Sequence, residues 1–396
     1  MNYKVIRRNR QRQLLIIAFI FVFLCSPLSF LVAADVTAVQ YFFNIAKVLL
    51  FILGVFYLVK ARMFNRMTFA VFVYVGFYIL STIINNGSIY TAFNVCIGFL
   101  GVYIWTEYFI CRMPEMYLKT FLKYMSVMII ANLVTIILFP NGLSINEYNS
   151  YAVRLIGIDN SLASILYPTV ILSYVQFYRG KIKYSAVKLL LAAVCITEFL
   201  VLSATSIIGL IPLLWGFYAM RSTGKNNRIE LDLKKVVLFY LIAFYFVNVS
   251  LSNSNITNFI ANIFHKSLNF SGRTYIWEKA IEIISKKMPW IGYGAYNKEL
   301  LRTIYFLPAN CHSFLFELII DVGIIGTVLF LYMFFRAYKR TTKLGTCGKG
   351  LVNCLICYFA IVLSMGIAEA TSLYLANFMF LAMFYHSNMI VEAKSS

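Results

Sequence analysis

Charged residues are scarce in this chain. They make up 13% of its 396 positions, while 61% are hydrophobic and the mean hydropathy is +0.78. A soluble domain carries about 25% charged residues, so a water-soluble fold is excluded. Strands of about ten residues with alternating polarity, the mark of a membrane-spanning barrel, are also missing. What remains is an α-helical membrane protein, because in lipid every backbone polar group must be satisfied within the chain. There is no Walker-type lysine loop and no HExxH pair. External carboxylates and histidines do not gather at ligand spacing, so neither an ATPase nor a metal enzyme is expected. No internal repeat, low-complexity tract or soluble domain stands out. Of the eight cysteines, only Cys311 is placed in the aqueous exterior, which leaves no external disulfide. Cys354 and Cys357 have the CxxC spacing but lie in an apolar span without a second ligand pair, so they read as buried thiols.

What the chain does have is apolar runs of about 16–22 residues, the length that crosses a bilayer as helix. They recur from Leu14 to Ile390. Spans are expected near 14–33, 42–59, 67–84, 89–110, 120–139, 161–178, 187–202, 207–220, 236–251, 314–335, 351–368 and 373–390. The expected fold is therefore an all-α polytopic membrane protein of about 12 transmembrane helices with one large external loop. Helices one to nine with short loops would occupy 1–251, the loop 252–312, and the last three helices 313–396. The net charge of +20 is unevenly placed. With the N-terminus inside, most Lys and Arg fall in inner segments, and the short external loops keep only Arg154. This is a positive-inside pattern. The basic balance then reports orientation and contact with anionic lipid rather than nucleic acid. Both termini would be cytoplasmic. The first span follows Arg7, Arg8, Arg10 and Arg12, as a signal peptide does. It is longer than a signal core and lacks a clear cleavage site, so it reads as a retained helix.

Residues 252–312 break the pattern, with mixed polarity where the rest is apolar run and basic turn. The other loops have too few atoms to build a site. Within this loop Thr274–Lys287 reads as an amphipathic helix, with Ile276, Trp277, Ala280, Ile281 and Ile284 at helical spacing. Ser271 is its expected N-cap and Pro289 its stop. The apolar face would lie on the membrane surface or on the helix bundle. A smaller external loop, 140–160, carries the turn signal Asn141-Gly142.

Three side chains stand out. Arg273 falls in the first turn of the loop helix, where a cation opposes the helix dipole. An anion bound there would offset that cost, since free N–H groups, the dipole and a guanidinium converge as in a phosphate site. The competing reading is an arginine reaching to lipid headgroups or pairing with a nearby Glu. Arg154 would hold a second phosphate, or anchor its loop at the interface. His312 precedes the helix expected from Phe314. A helix N-terminus favours the neutral ring, which would accept a proton from a sugar hydroxyl; an interfacial hydrogen-bonding histidine is the alternative. His386 reads as a packed helix residue. Ionisable residues inside the expected spans are functional suspects: Lys47, Glu107, Glu198, Glu317 and Asp321. Glu317 and Asp321, one turn apart, would support the site below His312 or line a wet cavity. Lys47 and Glu107 lie near span ends and would snorkel.

The ordered set Ser271-Gly272-Arg273, Trp277, Pro289, Gly292, Gly294, His312-Ser313, Asp321, Gly323 and Gly326 resembles the signature of the O-antigen polymerase/ligase superfamily. Its members are Wzy-type polysaccharide polymerases and O-antigen ligases. Arg154-Leu155-Ile156-Gly157 with Asn160 is similar to the family's element before a central span. The resemblance implies transfer of a glycan from undecaprenyl diphosphate to an acceptor hydroxyl, without metal, nucleotide or other cofactor. It places the functional residues on Arg154, Arg273 and His312. An external site lacks ATP and nucleotide sugars, so the driving energy would arrive with such a donor. Ser313 stands where the family frequently has Asn, and Asp321 where it often has Glu. The turn Ser203-Ala204-Thr205-Ser206 lacks an arginine often found there. The expected protein is a polysaccharide polymerase of the bacterial cytoplasmic membrane. Its partners would be lipid-linked oligosaccharide, membrane lipids, a flippase and a chain-length regulator. A ligase of the same family is the nearest rival, and a flippase for lipid-linked sugars a more distant one.

Overall fold

The computed structural model describes residues 37–145, 152–222, 232–250, 273–286, 290–295 and 310–392, together with Ile16. The expected span at 14–33 lies outside these residues apart from Ile16, as do Ser271, Gly272 and Pro289. The helices run in chain order: α1 (Thr37–Lys60), α2 (Arg66–Ile84), α3 (Ile89–Arg112), α4 (Pro114–Leu138), α5 (Ala163–Tyr178), α6 (Tyr184–Val201), α7 (Ala204–Ser222), α8 (Leu233–Phe244), α9 (Arg273–Lys286), α10 (Phe314–Thr342), α11 (Lys349–Met365), α12 (Leu375–Tyr385) and α13 (Ser387–Glu392). Seven helices among the described residues are long and apolar enough to cross a membrane, and three shorter apolar ones accompany them. This is an all-α polytopic membrane architecture. Between α4 and α5 a two-stranded hairpin pairs Ser144–Ile145 with Ala152–Val153. The turn that leads from α4 into it places Gly142 at φ +92, a conformation glycine adopts without steric cost.

Helix boundaries follow local chemistry. Asn65 caps α2 by accepting from the Met67 and Thr68 amides, and Ser88 caps α3 through the Thr91 amide. Pro114 opens α4 at a position where its missing N–H is not needed. The core gathers between α2, α3, α10, α11 and α12. Phe99 stacks on Phe378 at 4.4 Å between ring centroids, and Tyr358 on Phe380 at 4.1 Å. Every α12 side chain from Asn377 to Tyr385 is buried, as expected of a helix apolar on all sides.

The chain alternates between two ends of this bundle. One end collects the turns at 61–65, 113, 179–183 and 343–348, which are rich in Lys and Arg. The other collects the turns at 85–88, 139–145, 152–162, 202–203, 310–313 and 366–374. The described parts of the 252–312 loop dock on this second end. Helix α9 begins one residue earlier than the sequence predicts and stops at Lys286. Its apolar stripe is centred on Trp277, Ala280 and Ile283, all essentially inaccessible. It packs on α10 and the bundle, which settles the choice between bundle and membrane surface.

The segment at 290–295 is fastened by backbone bonds. Tyr293 and Gly294 amides donate to the Ile320 and Asp321 carbonyls at 2.6 and 2.7 Å. Ser81 and Asn85 at the end of α2 donate to the carbonyls of Ile291 and Gly292 at 2.6 and 2.8 Å. The approach requires glycine on both sides. Gly323 interrupts α10 at φ 63, and a Cβ there would meet the Trp290 carbonyl at 2.2 Å. A Cβ on Gly292 would meet the Gly323 nitrogen at 2.4 Å.

Three expectations are corrected. Glu107 does not snorkel: it is wholly buried and bonded to Asn65, Thr68 and His386. Lys47 is buried against α3 rather than extended to the interface. Cys311, placed by the sequence in the aqueous exterior, is buried; burial and the nearby Glu317 carboxylate push its thiol well up. Cys354 and Cys357 are buried free thiols, as expected.

Candidate functional site

Arg273 and His312 meet on a residue that sequence reasoning did not single out. Glu369 lies in the short turn between α11 and α12. Its Oε1 accepts from Arg273 Nη2 at 2.7 Å, and its Oε2 faces His312 Nδ1 at 3.3 Å. Arg273 Nη1 also donates to Thr205 Oγ1, at the start of α7, at 3.2 Å. The site thus draws on four separated stretches of chain. The side chains of Arg273, His312 and Glu369 retain 18%, 28% and 11% of their accessible surface. They are held, yet open to an incoming group.

The competing reading of Arg273, pairing with a Glu, is therefore present. It does not exhaust the guanidinium, which carries five N–H donors and spends two in the bonds just given. Glu369 was legible in one respect: it is an ionisable residue in a short turn between two apolar runs. Its partnership with Arg273 and His312 was not, because the contacts span 96 and 57 positions of sequence.

His312 is held in a left-handed backbone conformation, φ 47, which for a non-glycine residue costs of order 1–3 kcal/mol. Its N–H donates to Asn310 Oδ1 at 3.1 Å, and its carbonyl accepts from Trp277 Nε1 at 3.4 Å. Glu317 acts one residue earlier, where its Oε2 accepts from the Cys311 amide at 2.6 Å. With Nδ1–H donated to the carboxylate, the neutral ring carries its lone pair at Nε2. That nitrogen has no partner among the described residues. A carboxylate orienting an imidazole whose other nitrogen is free is the geometry of a general base.

Asp321 is buried and contributes its carbonyl to the Gly294 amide, so it bears on the docked loop rather than on His312 directly. Arg154 stands apart from Arg273 and His312. Its Nε bonds Asp159 at 3.0 Å, and its Nη1 donates to the Pro140 and Phe139 carbonyls at 2.6 and 3.3 Å. It thereby closes the C-terminal end of α4 and ties it to Asp159. Asp159 lies within electrostatic reach of Glu198, which is wholly buried at the end of α6. The Tyr167 and Ser206 hydroxyls come near Glu198. Each is engaged elsewhere, Tyr167 with the Ser206 carbonyl and Ser206 with Ser203 Oγ. Neither Glu198 oxygen has a hydrogen-bond partner among the described residues. Tyr374 lies within electrostatic reach of both Glu198 and Glu369, so the two carboxylates border one region.

The fold and the cluster define a class no finer than this: an α-helical polytopic membrane protein that gathers a guanidinium, a carboxylate and an imidazole at one end of its bundle. Residues 186–331 match the family model described as O-Antigen ligase, which supports the resemblance to the O-antigen polymerase/ligase superfamily. The matched region contains Arg273, His312, Glu317 and Asp321; Arg154 and Glu369 lie outside it. No curated protein matches the chain significantly.

Proposed function

We propose that this protein is a polysaccharide polymerase. It transfers a glycan from undecaprenyl diphosphate to a hydroxyl at the non-reducing end of a lipid-linked repeat unit. The observation that carries the reading is the Arg273–Glu369–His312 cluster. The acceptor oxygen attacks the anomeric carbon as its proton passes to His312 Nε2. The bond from that carbon to the diphosphate oxygen breaks, and the electron pair leaves with the diphosphate. The N–H groups of Arg273 not engaged by Glu369 and Thr205 meet this growing charge, where one such contact is worth about 2.7–4 kcal/mol of barrier. Glu369 sets both the ring and the fork. Arg154, the second candidate cation, acts in this reading through the loop that it ties to Asp159 rather than by direct contact, and Asp321 and Glu317 support the docked segments.

In this reading the chain crosses the bacterial cytoplasmic membrane about 12 times, with both termini and the basic turns inside. The site and the 252–312 loop face outward. No metal, nucleotide or other cofactor takes part, and nucleic acid is not a partner. Donor and acceptor are both lipid-linked oligosaccharides, delivered by a flippase and limited by a chain-length regulator. The second reading is ligation of finished chains to a lipid acceptor, favoured by the description of the matching family. Deleting the gene separates the two. A polymerase deletion leaves lipid-linked material of one repeat unit, whereas a ligase deletion accumulates full-length lipid-linked chains. Accumulation of unflipped substrate on the inner leaflet would contradict both.

A further inference from the structure

Helix α1 turns its apolar side chains outward: Tyr41, Phe42, Ile45, Leu49 and Ile52 are all exposed. Lys47 points the other way. It keeps 8% of its accessible surface, and its Nζ donates to the Asn94 carbonyl of α3 at 3.3 Å. One turn earlier, Asn44 bonds the Tyr90 hydroxyl at 2.6 Å, which fixes this face of α1 toward α3. A lysine on a membrane helix ordinarily extends along the surface to water. This one instead lines an open cavity of about 430 Å³ between α1, α3, the start of α5 and residues 373–376. Asn94, Ser164 and Tyr374 supply polar groups, and Val95, Phe99 and Leu375 are among the apolar ones. Pockets of roughly 300–1,000 Å³, mainly apolar with a few placed polar groups, are the usual form of a ligand site. A cation within a membrane span is costly and tends to mark function. The cavity belongs to the same end of the bundle as the site, and Tyr374 joins them, lying within electrostatic reach of Glu369.

We propose that this cavity binds the phosphate of a second membrane lipid, with Lys47 as its counter-charge. The first lipid is the donor at Arg273; the second is the carrier of the acceptor, placed beside it. The apolar lining and the lipid-facing side of α1 favour a phosphate that bears a chain over a free ion. A compact ammonium suits a point contact with phosphate, where the guanidinium fork suits a bidentate one. The identity of the second lipid as acceptor rests on the polymerase reading; the binding site does not.

The test counts lipids. Full-length protein in nanodiscs is titrated with polyprenyl phosphate or with polyprenol of equal length, and bound lipids are read by native mass spectrometry. The wild type should retain two polyprenyl phosphates, Lys47→Met one, Arg273→Ala one and Lys47→Arg two. Polyprenol should be retained at neither place at the same concentration. A single site in the wild type, two in Lys47→Met at unchanged thermal stability, or equal retention of polyprenol overturns the proposal. So does inorganic diphosphate that competes at the Lys47 site as strongly as the lipid, since the site would then be one for a free anion. If Lys47→Met loses its lipid while the wild type forms no polymer, the site stands and the polymerase reading falls. If Lys47→Met keeps both lipids while Arg273→Ala stops transfer, the polymerase reading stands and the site falls.

Discussion

Two imidazole–carboxylate pairs sit at opposite ends of this bundle, and they differ in what surrounds them. At the basic end, His386 Nε2 meets Glu107 at 2.8 Å while Nδ1 faces the Cys111 thiol at 3.3 Å. Asn65 and Thr68 also donate to Glu107, whose side chain has no accessible surface. Both ring nitrogens and the carboxylate are engaged there, and the pair ties the ends of α2, α3 and α12 together. At the other end, His312 uses one nitrogen on Glu369, and the second has no partner among the described residues. The carboxylate is shared with a guanidinium that keeps unused donors, and all three remain partly open. A pair whose imidazole is engaged at both nitrogens is a strut; the same pair with one ring nitrogen unengaged by the described residues is equipped for chemistry.

The comparison is sharpest with matched substitutions. His312→Gln should lower turnover by about 10²–10⁴, the usual worth of a general base. His386→Gln should leave turnover per folded molecule unchanged. Equal losses in the two variants, measured on purified protein normalised to its folded fraction, would erase the distinction. Arg273→Ala should cost about 10²–10³ in rate through lost charge stabilisation. Arg273→Lys should recover only part, since a point charge lacks the bidentate fork. Near-normal chain length in Arg273→Ala, with protein still in the membrane, would remove the anion role.

The strut predicts the reverse profile. Replacing His386 with Ala leaves Glu107 buried without its imidazole. Taking one hydrogen-bond partner from a buried polar group typically costs about 1–3 kcal/mol, read as a fall in thermal unfolding temperature. His312→Ala, at the open pair, should move that temperature far less. The smallest effect expected is at Cys311, which lies between Asn310 and His312. Because burial and Glu317 push its thiol well up, little thiolate is present at neutral pH. Alkylation there should be slow until the protein unfolds. Rapid labelling of native protein at Cys311 would show that the turn before His312 is looser than described.

The class and most helices were legible in the chain, because hydropathy over long runs is a local property. The loop helix at 273–286 was legible for the same reason, through the spacing of Trp277 and Ala280. Arg273 and His312 were found from loop polarity and from resemblance to a family. Glu369 and Thr205 were not assigned to the site, because a short polar turn acquires a role only when distant segments close on it. Arg154 was legible as an external cation, but its bonds to Asp159 and the Pro140 carbonyl were not. The burial of Glu107 and Lys47 also escaped the reading. A position near a span end is compatible with snorkelling, and only the neighbouring helices decide.

The account's central claim is that Glu369 aligns a base and a guanidinium on a lipid diphosphate. It is tested most directly with purified protein in liposomes supplied with a lipid diphosphate-linked repeat unit, comparing Glu369→Gln with Glu107→Gln. The account predicts that the wild type builds polymer, that Glu369→Gln loses most of that rate while remaining folded, and that Glu107→Gln loses stability but not rate. Polymer formed by Glu369→Gln at the wild-type rate would contradict it.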